Sequence, residues 1–486
     1  MTTPLNVGSS KLLYRFRPTE KLLGEKYQEL ENQQIYFASP EQLNDPREGH
    51  TNLYWRGDAI IWKGLFKNYI FCALNIFGLW AAFKPEDHIK GQNIPVTNPL
   101  KISHHHINLK LEAAFFGNPV IKEFLERIVA ANRSIGPNEI TAHLRALHYF
   151  VVFTIFDVIR KEQQTDHPEL ATDAPFPGIE YELGKIKAAN DMLAFVQKDM
   201  SMTSEEIEFE YFRLLSAYEQ TDLLNYHTQK LDLQDFNRIF MFNDFTRAYV
   251  RQLNTLMYTP WYIACFMEEC TDSSMWAYYG NSHTGICLIF RTEGNNDERF
   301  IKLKTTTAYT AQGEIKTMRE HYFKRVNYCD EHATLNFFES LGGAPTPILN
   351  AQWYRGENGE FSPFLLRTEE ERQKWRDRYW KQYLTSATTK MKIWGAEKEQ
   401  RLVHFSGLGD VGKDRTLEYD FSSLEGIIFG VRASAADKLK IISIIQKKCL
   451  ENKRTDFKFY QAYFSNNSNE IKFSELDIIS KTLNAG

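Results

Sequence analysis

The sequence predicts an α+β fold in which strands from both ends of the chain build one domain, with a large all-helical region inserted into it. Two strand-like runs, LLYRFR (12–17) and IYFAS (35–39), open the chain. From about Tyr54 to Met257 almost every segment carries helical spacing and helix-start signals. After Pro260 the texture changes to β-branched and aromatic runs: WYIACF (261–266), TGICLIF (284–290), KRVNY (324–328), EKEQRLV (397–403), GIIFGV (426–431) and FKFYQAYF (457–464). The expected division is therefore 1–54 and 257–486 as the two parts of the α+β domain, and 55–256 as the insertion.

Local signals set the elements in order. Pro18 stops the first strand, and Thr19 stands where it could cap a helix reaching about Asn32. PEQLNDP (40–46) is rich in turn formers, with Asn44, Asp45 and Pro46 fitting an Asx-type turn. Asn118 with Pro119, and Gly136 with Pro137, open two helices of the middle region. TDHPELATDAPFPG (165–178) predicts a linker, and Thr203 with Glu206 a capping box. Further on, a short helix is expected near Asp272–Tyr279. A charged helix starts at the Thr368 and Glu371 pair and runs to about Trp394, and another spans about Ala435–Leu450.

Composition narrows the classes. A chain of 486 residues with 43% hydrophobic and 25% charged residues is globular, and a net charge of −4 gives no overall attraction to nucleic acid or anionic lipid. Six cysteines show no CxxC pairing, and several lie inside apolar runs, as free thiols do in a reducing compartment. The first residues lack a basic region followed by an apolar stretch, so no signal peptide is expected and the cytoplasm is the expected location. The apolar runs YIFCALNIFGLWAAF (69–83) and YFVVFTIF (149–156) fall short of the ~20 residues of a membrane span and predict buried helices.

Glu397 and Glu399, in WGAEKEQRLV (394–403), are the first candidates for chemistry. On a strand, side chains at i and i+2 share a face, and two adjacent carboxylates repel unless something positive or hydroxylic binds there. Arg401 falls on the same face. The competing view is a solvated strand surface with its own Glu–Arg pair. Other chemistry ranks lower. His104, His105 and His106 lack zinc-ligand partner spacing, and no GxSxG, Walker A or GxGxxG frame occurs. Asp45, Glu48, Glu397 and Glu399 could serve a metal-dependent nuclease, but Glu399 stands where such cores place a lysine. KWRDRYWK (374–381) mixes bases with aromatics and fits a solvated helix surface better than a nucleic-acid face.

Four stretches, LLYRFRP (12–18), IYFASPEQLNDPRE (35–48), MWAYYGNSHTGICLIF (275–290) and WGAEKEQRLV (394–403), helped by EGIIFGVR (425–432), resemble an uncharacterised bacterial family of the "domain of unknown function" type. That family's pattern resembles the ADP-ribosyltransferase superfamily. Tyr14 and Arg15 match the first-strand element, with Arg17 a competing candidate. Trp276, Tyr278, Tyr279 and the strand from Thr284 stand in the central element's place, and Glu397 and Glu399 match the late Glu-x-Glu. No Ser-Thr-Ser precedes the central strand, and the long insertion departs from the pattern.

The resemblance implies an ADP-ribosyltransferase-like split sheet and NAD as substrate, consumed by transfer to a protein or nucleic-acid acceptor or by hydrolysis. Cleaving the nicotinamide–ribose bond passes through an oxocarbenium-like cation that a fixed carboxylate stabilises. Glu399 would hold the ribose, Glu397 would orient or deprotonate the acceptor, Arg15 would grip phosphate, and Tyr278 or Tyr279 would stack on nicotinamide. His283 would line the cleft or cap the following strand. The resemblance also implies a role as a toxin or phage-defence effector; from the architecture, the helical insertion is expected to sense a partner protein or restrain activity. A non-enzymatic interaction or sensor module on the same scaffold is the alternative.

Overall fold

Leu12–Arg17 forms the strand that the sequence predicts, and its alternation decides how the sheet around it packs. Leu13 enters one core, whereas Tyr14 and Phe16 enter another on the opposite face. In the computed structural model the described residues are 12–484 apart from Pro46, His50, 85–86, 100–104, 167–177, 199–201, 229–234, 296–297, 332–333, 406–414 and 468–469. They fall into two units: residues 1–50, 260–332 and 381–486, and residues 51–259 and 333–380.

The first unit is built on an eight-stranded sheet. In chain order its strands are β1 (Leu12–Arg17), β2 (Trp261–Met267), β3 (Ile286–Arg291), β4 (Lys324–Arg325), β5 (Glu399–Phe405), β6 (Leu424–Phe429), β7 (Lys458–Phe464) and β8 (Ile471–Glu475). Their spatial order is β8-β7-β6-β3-β1-β2-β5-β4. All neighbours are antiparallel except β6 and β7, which the Ala435–Glu451 helix connects in parallel. Leu13, Phe266, Leu288, Leu402 and Ile427 face that helix's Ile441 and Ile445 in one core. On the other face Tyr14, Met267, Cys287 and Ile289 pack with Met275 and Trp276. All six cysteines are free.

Four local expectations differ from the structure. The helix after Pro18 covers only Thr19–Leu23 and has no side-chain cap, because Gly24 turns the chain to extended backbone and Gln28 and Gln33 then adopt positive φ. KRVNY divides: Lys324–Arg325 joins the main sheet, whereas Asn327–Tyr328 pairs in parallel with Thr389–Lys390. The charged helix is Glu369–Thr388, and a 3₁₀ turn over Lys392–Glu397 follows it, so Glu397 precedes β5. A long hairpin, Phe300–Thr310 with Gly313–Tyr322, extends a second sheet where no strand is expected. Gly313–Tyr322 is exposed almost throughout, so it carries no hydrophobic alternation to reveal it.

Gly285 sits where β3 begins against the end of β1. A Cβ there would lie 2.6 Å from the Arg17 carbonyl oxygen and 2.8 Å from that of Gly280, and backbone cannot yield as a side-chain tip can. Gly285→Ala is expected to cost about 1–3 kcal/mol, lowering the midpoint of thermal unfolding by several degrees in calorimetry.

In the helical unit, Ala59–Ala82 (α1) starts at an Asp58 cap that accepts from the Ile60 and Ile61 amides. Pro137–Asp166 (α2) packs beside it, Ser204–His227 (α3) opens with the Thr203–Glu206 capping box, and Phe245–Gln252 (α4) follows a π-helical turn over Phe240–Asp244. Most of the 165–178 linker expected from sequence lies outside the described residues. Residues 333–380, which the sequence assigns to the C-terminal part, group with the helices: Thr334–Asn336 pairs with Asn52–Tyr54, and Phe337, Phe338 and Trp353 enter the core beside Trp62. Two helices, over Ala59–Ala82 and Pro137–Gln163, are long and apolar enough to cross a bilayer, exceeding the apolar runs read from sequence. Most of each apolar window is buried inside the protein, as in a core helix.

The π turn leaves backbone carbonyls without their regular helical partners, and α2 supplies donors for them. His148 Nε2 lies 2.6 Å from the Met241 oxygen, and Arg145 Nη1 donates to the Phe242 and Asn243 oxygens. With Nε2 facing a carbonyl, the proton sits there and Nδ1 accepts from Tyr69 Oη at 2.9 Å. Tyr69 Oη also meets Thr246 Oγ1 at 2.8 Å, which completes a buried polar chain.

Candidate active site

Glu399 is the first residue of β5 and pairs across to Met267, itself opposite Tyr14. Cross-strand partners share a face, so Glu399, and Arg401 opposite Cys265, lie on the Tyr14–Trp276 side of the sheet. Two residues earlier, the 3₁₀ turn ends at Glu397, and Lys398 adopts the left-handed region (φ 46°) to enter the strand. That kink, in place of a strand pair, brings both carboxylates to Lys390. Neither faces solvent: both side chains are at most 2% exposed, which overturns the solvated-surface view.

Lys390 Nζ lies 2.8 Å from Glu48 Oε1, 2.7 Å from Glu397 Oε2 and 3.6 Å from Glu399 Oε2. Arg401 forks onto Glu399, Nε to Oε1 at 2.8 Å and Nη2 to Oε2 at 2.9 Å. It also donates to Glu48 and, at 2.8 Å, to the Ala387 carbonyl. Tyr279 Oη donates to Glu397 Oε1 at 2.6 Å, and Tyr328 Oη accepts from the Glu399 amide at 2.8 Å. Three carboxylates therefore meet two fixed cations, which leaves one negative charge in excess when all are ionised.

That excess splits the two glutamates. Burial alone would raise both acids. At Glu399 the Arg401 charge and its fork more than reverse burial and hold the carboxyl near about 2. At Glu397 burial prevails, with the Glu399 charge adding to it, so its carboxyl is raised despite Lys390. Lys390 is held firmly protonated: the Glu399 charge and its neighbours outweigh burial. Of the pair, Glu397 is therefore the more readily protonated and Glu399 the more firmly held anion.

Two aromatic side chains lie beside Lys390. Trp394, within the 3₁₀ turn, lies 4.8 Å from Lys390 Nζ to its ring centroid. Tyr278, largely exposed, meets Trp394 edge-on with centroids 6.1 Å apart. Trp276 is a core residue; its indole N–H donates to the Cys270 carbonyl and its ring packs edge-on against Phe16. His283 is the last of three consecutive left-handed residues after Asn281 and Ser282, pinned through the Trp276 carbonyl and the Arg432 amide. Its imidazole is shifted down by burial and then by Arg432, and it is not among the groups bonded to the carboxylates.

The two early arginines do not join this cluster. Arg15 points to the opposite face of the sheet, 5.2 Å over the Phe266 ring, and donates to the Cys265 and Tyr36 carbonyls at 3.1 and 2.9 Å. Arg17 shares that side and pairs with Glu29. In an alternating strand both follow Leu13, whereas the first-strand residue on the carboxylate face is Tyr14.

Sequence reasoning raises Glu48 only as a nuclease carboxylate, and it misses Lys390 and Tyr328. Nothing in TTKMKIWG distinguishes a buried lysine from an exposed one. Asp45 forms the expected Asx turn, accepting from the Arg47 amide at 2.9 Å, while Pro46 lies outside the described residues. His104 and the His105 side chain are likewise outside them, and His106 pairs with Glu162. Among the described residues no His, Cys, Asp or Glu group is arranged to hold a metal ion. Within 374–381, Lys374 and Arg376 pair with Glu370 and Glu369, as on a salt-bridged helix surface. Comparison with family models, curated proteins and solved structures finds no match to this chain.

Proposed function

We propose that the sheet unit is an NAD-consuming enzyme of the ADP-ribosyltransferase type, with an ADP-ribosyltransferase-like fold, acting in the cytoplasm as a toxin or phage-defence effector. The observation that carries this is Glu397: a buried carboxyl of raised proton affinity, oriented by Tyr279 and by Lys390, which Trp394 flanks. In the reaction the C–N bond between nicotinamide and ribose breaks, and nicotinamide leaves with the bonding pair. Water, or a protein or nucleic-acid nucleophile, attaches to the ribose carbon, and its proton passes to Glu397. Glu399, held by Arg401, supplies fixed negative charge to the cationic transition state, and the Trp394–Tyr278 pair offers a flat face to nicotinamide. Arg15 has no part in phosphate binding here. A metal-dependent nuclease is the weaker reading, because Lys390 and Arg401 already occupy the carboxylate oxygens a cation would need.

A second reading is favoured by one observation: all five charged side chains are at most 2% exposed. The network would then be a structural clasp in a non-enzymatic scaffold, with the helical unit as the surface for a partner protein. Incubation with NAD labelled on its adenylate, with and without cell lysate, separates the two. The enzyme reading expects label transfer or nicotinamide release, reduced at least about 100-fold in Glu397→Gln with the melting temperature nearly kept. Equal turnover in wild type and Glu397→Gln, or none in wild type, leaves the clasp.

A further inference from the structure

A cavity of about 170 Å³ opens within the helical unit, between α2, α3 and the π turn that leads into α4. That volume holds several water molecules. Its charges do not balance. Arg145 pairs with Asp222 at 3.2 Å, and Arg247 with Glu219 at 3.2 Å. The fifth charged wall residue, Asp244, forms no ion pair among the described residues. Tyr218 and Tyr226 also line the cavity, and Arg145 already lies 5.9 Å from the Tyr218 ring centroid. The side-chain nitrogen of Asn243, another wall residue, is shielded from solvent and meets no acceptor.

We infer that this cavity binds a small organic cation, an ammonium or guanidinium carrying a nearby hydrogen-bond acceptor, with Asp244 as counter-charge, Tyr226 as cation–π face and Asn243 as donor. The carboxylate in excess selects the sign of the ligand. Tyrosine rings attract desolvated cations, and an unmet buried donor asks for an acceptor on the ligand. The wall is also specialised for more than packing: Asn243 and Asp244 belong to the π turn, a backbone form frequent at functional sites. Partial burial raises the carboxyl of the solvent-accessible Asp244 even against the pull of Arg145, Arg247 and Arg251.

Saturation-transfer NMR on the full chain tests this, with ethanolammonium and methylguanidinium as probes and propionate as the anionic control. Both cations are expected to bind in the millimolar range or tighter, and propionate not at all. Asp244→Asn, nearly isosteric, weakens binding at least about tenfold, and Tyr226→Leu several-fold. Glu210→Gln, on α3 and paired with Arg213 outside the cavity, leaves it unchanged. No saturation transfer to either cation, propionate binding as well as they do, or equal affinity in Asp244→Asn would overturn the assignment. Tyr226→Leu keeps the test decisive should Asp244→Asn fold poorly: undiminished binding there also overturns it.

Discussion

Arg401→Met unfolds the sheet unit at a clearly lower denaturant concentration than wild type, with a loss of about 3–5 kcal/mol. The size follows from what remains. Glu399 and Glu48 both lean on the guanidinium, and without it they face each other with only Lys390 between them. Adding Glu399→Gln and Glu48→Gln to Arg401→Met should recover much of the loss, because the penalty is unpaired buried charge rather than lost packing. Urea unfolding of the single and triple variants measures both. A single-variant loss below about 1 kcal/mol would show that water reaches the cluster. Acid acts in the same direction through Glu399. Its folded carboxyl titrates near about 2, so its stabilisation is present above the ordinary glutamate range and lost as pH falls towards 2. Glu397, shifted upward, works weakly against this, since its charged form is the one that burial disfavours.

Mild acid should destabilise the helical unit through His148. Burial, and then the nearby Arg145 charge, lowers this imidazole to about 3. The folded protein therefore keeps it neutral while the unfolded chain takes up a proton below pH ~6.5. Stability from this group is complete above that value and drains away down to pH 3. The slope is at most about 1.4 kcal/mol per pH unit, so the loss by pH 4 approaches about 3 kcal/mol. His148→Gln is expected to flatten the dependence of the melting temperature between pH 7 and 4, with some overall loss of stability. His321, lowered to about 4 by burial and then by His404, titrates in the same window in the sheet unit, so the comparison between wild type and variant is the informative quantity. An unchanged slope in His148→Gln would sink this account.

Many strands with a buried face were legible, but Phe300–Thr310 and Thr416–Tyr419 were not, although Ile301, Leu303, Leu417 and Tyr419 are buried. LLYRFR, WYIACF and most of GIIFGV (426–431) are strands because β-branched and aromatic residues meet two cores, and the helix starts at Asn118 and Thr203 carry their own capping chemistry. The exposed Gly313–Tyr322 strand was not legible, because its stability comes from backbone pairing with Phe300–Thr310. At the site, the two glutamates could be picked from spacing, Arg401 from its place on the Glu399 face, and Tyr279 only through the resemblance. Lys390 could not, and Glu48 only as a nuclease carboxylate, since burial by distant segments is a tertiary event. The placement of Arg15 failed for a simpler reason: one step along a strand reverses the face, so matching an Arg beside an aromatic does not say which of the two points at the carboxylates.

The bond between Glu48 and Arg401 joins residues 353 positions apart, and the strand Leu12–Arg17 lies between two others that begin beyond residue 260. A ribosome must therefore release most of the polypeptide before its first fifty residues can reach their final neighbours. The helical segments in between emerge earlier and can fold while synthesis continues, whereas the opening strand waits, unpaired, for partners not yet made. For this chain a strand made long before its partners is among the last to settle, and a stalled nascent chain would expose it to chaperones and proteases.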